Sequence, residues 1–203
     1  SLLADFDANG TGTLTITEAI TTAGGDLTLM GTDLILGAFA QNAGAGTIFL
    51  QASESTANYT VGGGAADFGI ENAELDQMTA ATIEIGRGDA TAGTITIDNT
   101  LTMTNASDLL FEGFNIAVNA DIEMQNGQSL LLHALEDGAG SVTFAAFNID
   151  SDSTEIEVSG NNATIVYNAA TLFRDDAGAA NPTTFLVRTT DSAALNLTDF
   201  MPA

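Results

Sequence analysis

Short runs of alternating apolar and small polar residues recur along the whole chain, separated by turns rich in Gly, Asn, Asp, Ala and Thr. Leu27-Thr28-Leu29 and Ile95-Thr96-Ile97 are typical, because every first and third side chain of such a run falls on one face of a β-strand. The pattern predicts strands at 13–16, 27–29, 34–36, 47–50, 58–61, 68–70, 82–85, 94–97, 101–103, 109–111, 116–118, 122–124, 130–132, 156–158, 185–187 and 195–197.

Strands this short do not form a sandwich core alone, but they can stack on copies of themselves. In the middle of the chain, three successive runs make a coil of about 20 residues. We therefore predict an all-β chain that forms one parallel β-helix, or β-solenoid, over residues 1–203 with three short strands per coil. About 8–10 such coils, each rising by about 4.8 Å, would make a rod.

Two segments depart from this rhythm. The segment 71–78 begins with acidic residues and has the spacing of a helix, which predicts a helical turn or a wide corner. The segment 168–182 contains Asn181-Pro182 and predicts a loop that leaves the rod. Asparagines beside the strands are expected to stack in amide ladders between coils. They are Asn115, Asn119, Asn126 and Asn148.

Three neighbouring stretches carry a likeness to a known family. They are Phe68-Gly69-Ile70-Glu71-Asn72-Ala73-Glu74-Leu75-Asp76-Gln77-Met78, Thr82-Ile83-Glu84-Ile85-Gly86 and Ala92-Gly93-Thr94-Ile95-Thr96-Ile97. Together they resemble a recurring phrase of filamentous-haemagglutinin-like adhesins, which are very large secreted bacterial proteins. The resemblance implies a right-handed β-helix, export to the cell surface and a role in adhesion or fibre building.

The charge balance is strongly acidic. The 203 residues include 27 Asp and Glu but only three Arg and no Lys, which gives a formal charge of −24. Such a surface repels nucleic acid and anionic lipid, so neither is an expected partner. No apolar run approaches the roughly 18 residues of a membrane span. The acidic coat has two interpretations: it keeps an apolar rod soluble, or it binds cations.

The composition also limits the covalent chemistry of the chain. Cysteine is absent, so disulfides and thiol chemistry are excluded. The missing Lys excludes cross-links between Lys and Asn or Asp side chains within the chain. The first residues lack the basic start and apolar segment of a signal peptide, so we expect a processed protein or a segment of a longer one.

The candidate metal site lies close to the start of the chain, in Asp5-Phe6-Asp7-Ala8-Asn9-Gly10-Thr11. Oxygen-bearing side chains at alternate positions, followed by Gly, match the first half of a calcium loop. The candidate Ca²⁺ ligands are Asp5, Asp7, Asn9 and Thr11. The twelfth position is Ile16, so the bidentate carboxylate is missing, and a plain Asp/Asn-Gly turn is the alternative. No cofactor is required.

We do not expect an enzyme, although β-helices host polysaccharide lyases and hydrolases. By analogy, such lyases place Lys or Arg against the substrate, whereas the three Arg of this chain lie far apart. Glycoside hydrolysis needs two positioned carboxylates, and no acidic pair in the sequence stands beside an aromatic platform. His133 has no second His and no Cys for a zinc site, so we expect a structural role for it.

Five Asn-X-Ser/Thr sequons are candidate glycosylation sites. They are Asn9, Asn58, Asn105, Asn162 and Asn196. In a chain rich in Asn and Thr, most of these would arise by chance, so the sequence leaves glycosylation open.

The ends of the predicted rod are apolar. The candidate assembly residues are Leu2 and Leu3 at the start and Leu195, Leu197 and Phe200 at the finish. An uncapped strand edge invites pairing, and a head-to-tail contact that does not close makes a fibre. We therefore expect a structural protein, extracellular or on the cell surface, whose copies assemble end to end into a filament. The alternatives are an internal segment of a giant adhesin that binds host or surface glycans, and a polysaccharide-active enzyme.

Overall fold

Almost all regular structure in the protein is β-strand. The structure is a computed structural model that describes residues 1–5, 7, 9–63, 66–124, 128–134 and 140–144, together with the backbones of five later strands. In chain order the elements are β1 (Leu2–Leu3), β2 (Thr13–Ile16), β3 (Ile20–Thr21), β4 (Leu27–Gly31), β5 (Asp33–Leu36), β6 (Gln41–Asn42), β7 (Thr47–Ala52), β8 (Tyr59–Val61), β9 (Phe68–Ile70), α1 (Asn72–Leu75), β10 (Met78–Thr79), β11 (Thr82–Gly86), β12 (Thr94–Ile97), β13 (Leu101–Met103), β14 (Asp108–Gly113), β15 (Asn115–Val118), β16 (Ile122–Met124), β17 (Leu130–Ala134), β18 (Ser141–Phe144), β19 (Asn148–Ser151), β20 (Glu155–Gly160), β21 (Thr164–Val166), β22 (Leu172–Arg174) and β23 (Thr184–Thr189). The predicted all-β class is confirmed.

The strands form parallel sheets. Every strand pair in the described part of the chain is parallel. The strand orders are β1-β4-β7-β11-β14-β17-β20-β23, β21-β18-β15-β12-β8-β9, β13-β16-β19-β22, β10-β6-β3 and β2-β5. From β12 onward the chain visits the six-, four- and eight-stranded sheets in turn and repeats that order to β23. We call the stretch of chain between two successive visits to the same sheet a round. Strands therefore pair with strands of the preceding and following rounds.

The register gives the length of each round of the chain. In the eight-stranded sheet Leu109 pairs with Leu130, 21 residues later, close to the predicted 20 or so. Ile48 pairs with Ile83, 35 residues later, because the additional strand β9 and the helical turn α1 lie within that round. The rounds are thus longer and less regular than the spacing of the apolar runs predicts.

The core is built from the apolar positions of the alternating pattern. Alternate side chains of each long strand are buried, as in β7 and β14. The register places equivalent positions side by side, so the buried residues form continuous rows across the eight-stranded sheet. One row is Leu29, Leu50, Ile85, Phe111 and Leu132, each of them 0% exposed. Such stacking buries apolar surface in strands too short to do so alone.

The predicted corner at 71–78 contains the helical turn α1. The Glu74 carboxylate accepts hydrogen bonds from the backbone N–H of Glu71 (3.0 Å) and of Leu36 (3.1 Å). Burial is the main cause that raises the pKa of Glu74 above its usual value. The corner therefore connects β5 to the round that follows it.

None of the helical structure in the described part of the chain has the length and apolar character of a membrane span.

The predicted loop at 168–182 contains a strand, β22, which pairs with β19. The sequence pattern missed this strand because Leu172-Phe173-Arg174 lacks the alternation of the other runs. The other residues of that segment, 168–171 and 175–182, lie outside the described part of the chain.

The asparagines beside the strands bond between rounds, but not to one another. The Asn115 amide donates to the backbone oxygen of Gly93 (3.2 Å), and Asn119 donates to the Asp98 carboxylate (3.0 Å). The expected Asn–Asn ladder is therefore wrong for these two residues, because the register sets other acceptors opposite them. Asn126 and the side chain of Asn148 lie outside the described part.

Candidate functional site

The candidate metal residues lie in one turn between β1 and β2. The Asp5 side chain is buried and accepts hydrogen bonds from the Ser53 hydroxyl (2.6 Å) and from the backbone N–H of Asn9 and of Gly10 (both 3.1 Å). The Ser53 hydrogen bond is the largest cause that lowers the pKa of Asp5, against the opposing effect of burial. Asp5 is thus held as a carboxylate by donors of the protein itself.

The other candidate ligands bond to one another. The Asn9 amide nitrogen donates to the Asp7 carboxylate (2.9 Å), and the Asn9 amide oxygen accepts from the Thr11 N–H (3.0 Å) and hydroxyl. This is the bonding expected of an Asp/Asn-Gly turn, in which Gly10 has a positive φ of 76°. Among the described residues, no three His, Cys, Asp or Glu side chains gather where they could hold an ion. Calcium binding stays a prediction.

Arg87 fixes the neighbouring end of β7. One guanidinium nitrogen donates to the backbone oxygens of Ala52 (2.9 Å) and Ser53 (2.8 Å). The other two bind the Asp89 carboxylate at 2.7 and 2.9 Å, which lowers the pKa of Asp89 and raises that of Arg87. The charged groups of Arg87 and Asp89 are therefore both bonded within the protein itself. Together with the Asp5–Ser53 bond, this network connects three rounds of the chain.

A pair of carboxyl groups lies on the outer face of the eight-stranded sheet, which the sequence analysis did not predict. Glu84 in β11 and Glu112 in β14 are both half-buried, and their side chains are hydrogen-bonded to each other. Burial, followed by the charge of Glu112 and this hydrogen bond, raises the pKa of Glu84 to about 7. Partial burial and the nearby carboxyl group therefore both favour the protonated form of Glu84.

This pair differs from the carboxyl pairs of glycoside hydrolases. Those are separated by about 5 Å in retaining enzymes and by about 6.5–9.5 Å in inverting ones, which leaves room for the sugar or a water. Glu84 and Glu112 are in direct hydrogen-bond contact. The geometry gives no support to hydrolysis at this pair, and the expectation that the chain is not an enzyme stays a prediction.

Among the described sequon residues, Asn9 and Asn58 are exposed, whereas Asn105 is half-buried. The Asn105 amide nitrogen donates to the backbone oxygens of Leu75 (2.8 Å) and Met78 (2.9 Å). Because a glycan would replace one hydrogen of that nitrogen, glycosylation of Asn105 would remove at least one of these two bonds. Asn162 and Asn196 lie outside the described residues.

The candidate assembly residues of the first strand lie at one end of the stack. Leu2 and Leu3 are 38% and 45% exposed, and β1 pairs only with β4 in the part of the chain that the structure describes. Leu2 is in register with the buried Leu29, so it lies at the open end of a core row. Strands β2 and β3 also end their sheets. Leu195, Leu197 and Phe200 lie outside the described residues.

Comparison with known proteins identifies no relative. A scan of protein-family models, a search of curated proteins and a search of solved structures each found no match to this chain. The likeness to filamentous-haemagglutinin-like adhesins therefore rests on the motif residues alone.

Proposed function

We propose that the sheets are the faces of a single parallel β-helix with three strands per coil. The repeated visiting order from β12 to β23 supports this, as do the all-parallel pairing and the buried rows. Each return to the same sheet is a crossover between parallel strands, and such crossovers are almost always right-handed. The β-helix is therefore expected to be right-handed.

We further propose that the protein is a non-enzymatic structural subunit, located outside the cell, that stacks end to end into a filament. The observation that carries this proposal is the end formed by β1, β2 and β3, each of which has one hydrogen-bonded neighbour among the described residues. Free N–H and C=O groups at a strand edge are a template for another strand. Leu2 and Leu3 add exposed apolar surface at this end.

The expected mode of assembly follows from the symmetry of the contact. If the first round of one copy covers the last round of the next, the two surfaces in contact differ. Such a contact leaves one uncovered surface at each end of the assembly. The result is an open filament rather than a closed ring. The formal charge of −24 favours separate, solvated filaments at neutral pH, and it disfavours nucleic acid and anionic lipid as partners.

An internal segment of a giant adhesin is the second candidate. The same exposed edges of β1, β2 and β3 favour it, because coils of a longer chain would cover them equally well. The adhesin-like motif lies in β9, α1, β11 and β12. In this proposal the partners include host or surface glycans. The two candidates differ in whether the isolated 203-residue chain polymerises.

The contribution of the β1 end is tested with a charged substitution. Leu2→Glu is expected to raise the critical concentration for polymerisation at least about tenfold, because the contact would have to bury a carboxylate. Pelleting assays and negative-stain electron microscopy, with calcium and with chelator, measure the effect. Loss of filaments in chelator would assign a functional role to the acidic turn at Asp5–Thr11.

The matched control is Ile35→Glu. Ile35 is 48% exposed, but it lies on β5, which pairs with β2 and belongs to the round after the first one. The control should polymerise like the unmodified chain, and both variants should keep its melting temperature. Equal inhibition by the two substitutions would contradict assembly through the β1 end.

A further inference from the structure

The turn between β1 and β2 contains Asn9-Gly10, one of the two Asn-Gly steps of the chain; the other is Asn126-Gly127. In such a step the glycine nitrogen can attack the side-chain carbonyl carbon of the asparagine, because a residue without Cβ leaves the approach open. A bond forms between that nitrogen and Cγ, the nitrogen loses its proton to solvent, and ammonia leaves. Water then opens the five-membered imide, so that aspartate or isoaspartate replaces the asparagine.

In the folded turn every group that takes part in this reaction is hydrogen-bonded. The Gly10 N–H, which supplies the attacking nitrogen, donates to the Asp5 carboxylate (3.1 Å). The Asn9 amide nitrogen, which would leave as ammonia, donates to the Asp7 carboxylate (2.9 Å). The Asn9 amide oxygen accepts from the N–H (3.0 Å) and the hydroxyl of Thr11. Because the Gly10 nitrogen must lose its proton, the negative charge of Asp5 opposes the attack.

The turn is held closed by residues of later rounds. Asp5 is 3% exposed and accepts a hydrogen bond from the Ser53 hydroxyl (2.6 Å), in the corner after β7. A Cβ added at Gly10 would lie 3.1 Å from a carboxyl oxygen of Glu54, so this corner also lies close against the turn. Opening of the turn therefore requires that the long-range contact between Asp5 and Ser53 be broken.

We propose that Asn9 is a modification site which the folded turn protects, and that loss of the Asp5–Ser53 contact exposes Asn9 to deamidation. The product carries a carboxylate where Asn9 now donates to Asp7. Two like charges then replace a hydrogen bond, so the turn cannot close again with its original bonds. Deamidation of Asn9 thus leaves a permanent record that the first round has opened.

The test compares deamidation rates at Asn9, measured by peptide mapping and mass spectrometry of full chains incubated at neutral pH. If the turn protects Asn9, the rate follows the fraction of molecules in which the turn is open. The unmodified chain should therefore react at least about tenfold faster in concentrated urea, where it is unfolded, than in buffer. Ser53→Ala leaves the Asn9-Gly10 sequence unchanged but removes the hydroxyl donor to Asp5. It should raise the rate in buffer at least about threefold.

Two controls make the test specific. Ser55→Ala removes a nearby hydroxyl that contacts Thr91 (3.4 Å), and it should leave the rate at Asn9 unchanged. Asn126-Gly127 is an internal standard, whose rate in buffer should be the same in all three chains. Equal rates at Asn9 in buffer and in urea, or equal effects of Ser53→Ala and Ser55→Ala, would overturn the proposal. So would a parallel increase at Asn126, because it would show general unfolding in place of opening of the turn.

Discussion

Replacing Phe111 with Ala should reduce the free energy of unfolding by about 3–5 kcal/mol, as for other large side chains in a packed core. Phe111 is 0% exposed and is among the largest fully buried side chains described. Its strand neighbours in the buried row are Ile85 and Leu132. Because the rows are continuous across the rounds, the rigid strands cannot close around the cavity left by the ring. Urea unfolding followed by circular dichroism measures the change.

Phe39→Ala is the control for this prediction. The Phe39 side chain is 40% exposed and lies between β5 and β6, outside the buried rows. Its removal should cost clearly less than that of Phe111, about 1–2 kcal/mol, since part of its apolar surface is already in water. If Phe39→Ala proved as destabilising as Phe111→Ala, the stacked rows would not be the source of stability.

Gly86→Ala should be the second strongly destabilising change, by about 2–6 kcal/mol. Two costs of about 1–3 kcal/mol each combine here, one for a side chain in a backbone conformation that favours Gly and one for overpacking. Gly86 has a φ of 114°, and a Cβ there would overlap the backbone oxygen of Glu112 and lie 2.7 Å from the Ile95 side chain. Thermal and urea unfolding both report the loss.

Gly24→Ala separates the two costs. Gly24 has a similar φ of 99°, but a Cβ there would meet nothing within 4 Å. Only the backbone cost applies, so the loss should stay at about 1–3 kcal/mol. Equal losses for Gly24→Ala and Gly86→Ala would mean that β11 and β14 do not approach as closely as the structure places them.

Most strands of three or more residues could be predicted because their side chains alternate, but β18, β19, β21 and β22 were not predicted. Runs such as 47–50 and 94–97 carry their register in their own sequence, since one face must be buried. The two-residue strands β3, β6 and β10 have no such pattern and are set by pairing with their neighbours in the sheet. Gln41 in β6 is an example of a buried residue that the apolar pattern could not predict. It is 0% exposed although polar, and its amide nitrogen donates to the backbone oxygen of Phe39 (3.0 Å).

The candidate sites also divide into contacts between residues close in sequence, which could be predicted, and contacts between distant residues, which could not. The turn at Asp5–Thr11 was visible in the sequence because its residues are local and bond to one another. The Ser53 partner of Asp5 lies 48 residues away, and no local pattern points to it. Glu84 and Glu112 meet only because the register of β11 and β14 brings them together. The one signal in the sequence is an acidic residue at an outward position of each of these two strands, and it says nothing about their register.

The most direct test of the proposed filament is cryo-electron microscopy of the isolated 203-residue chain at neutral pH. If copies stack end to end, the strands lie across the filament axis and give a spacing of about 4.8 Å along it. Eight stacked strands per copy then predict an axial repeat of about 38 Å. Single particles of uniform size at every concentration, or filaments with strands along the axis, would contradict end-to-end assembly.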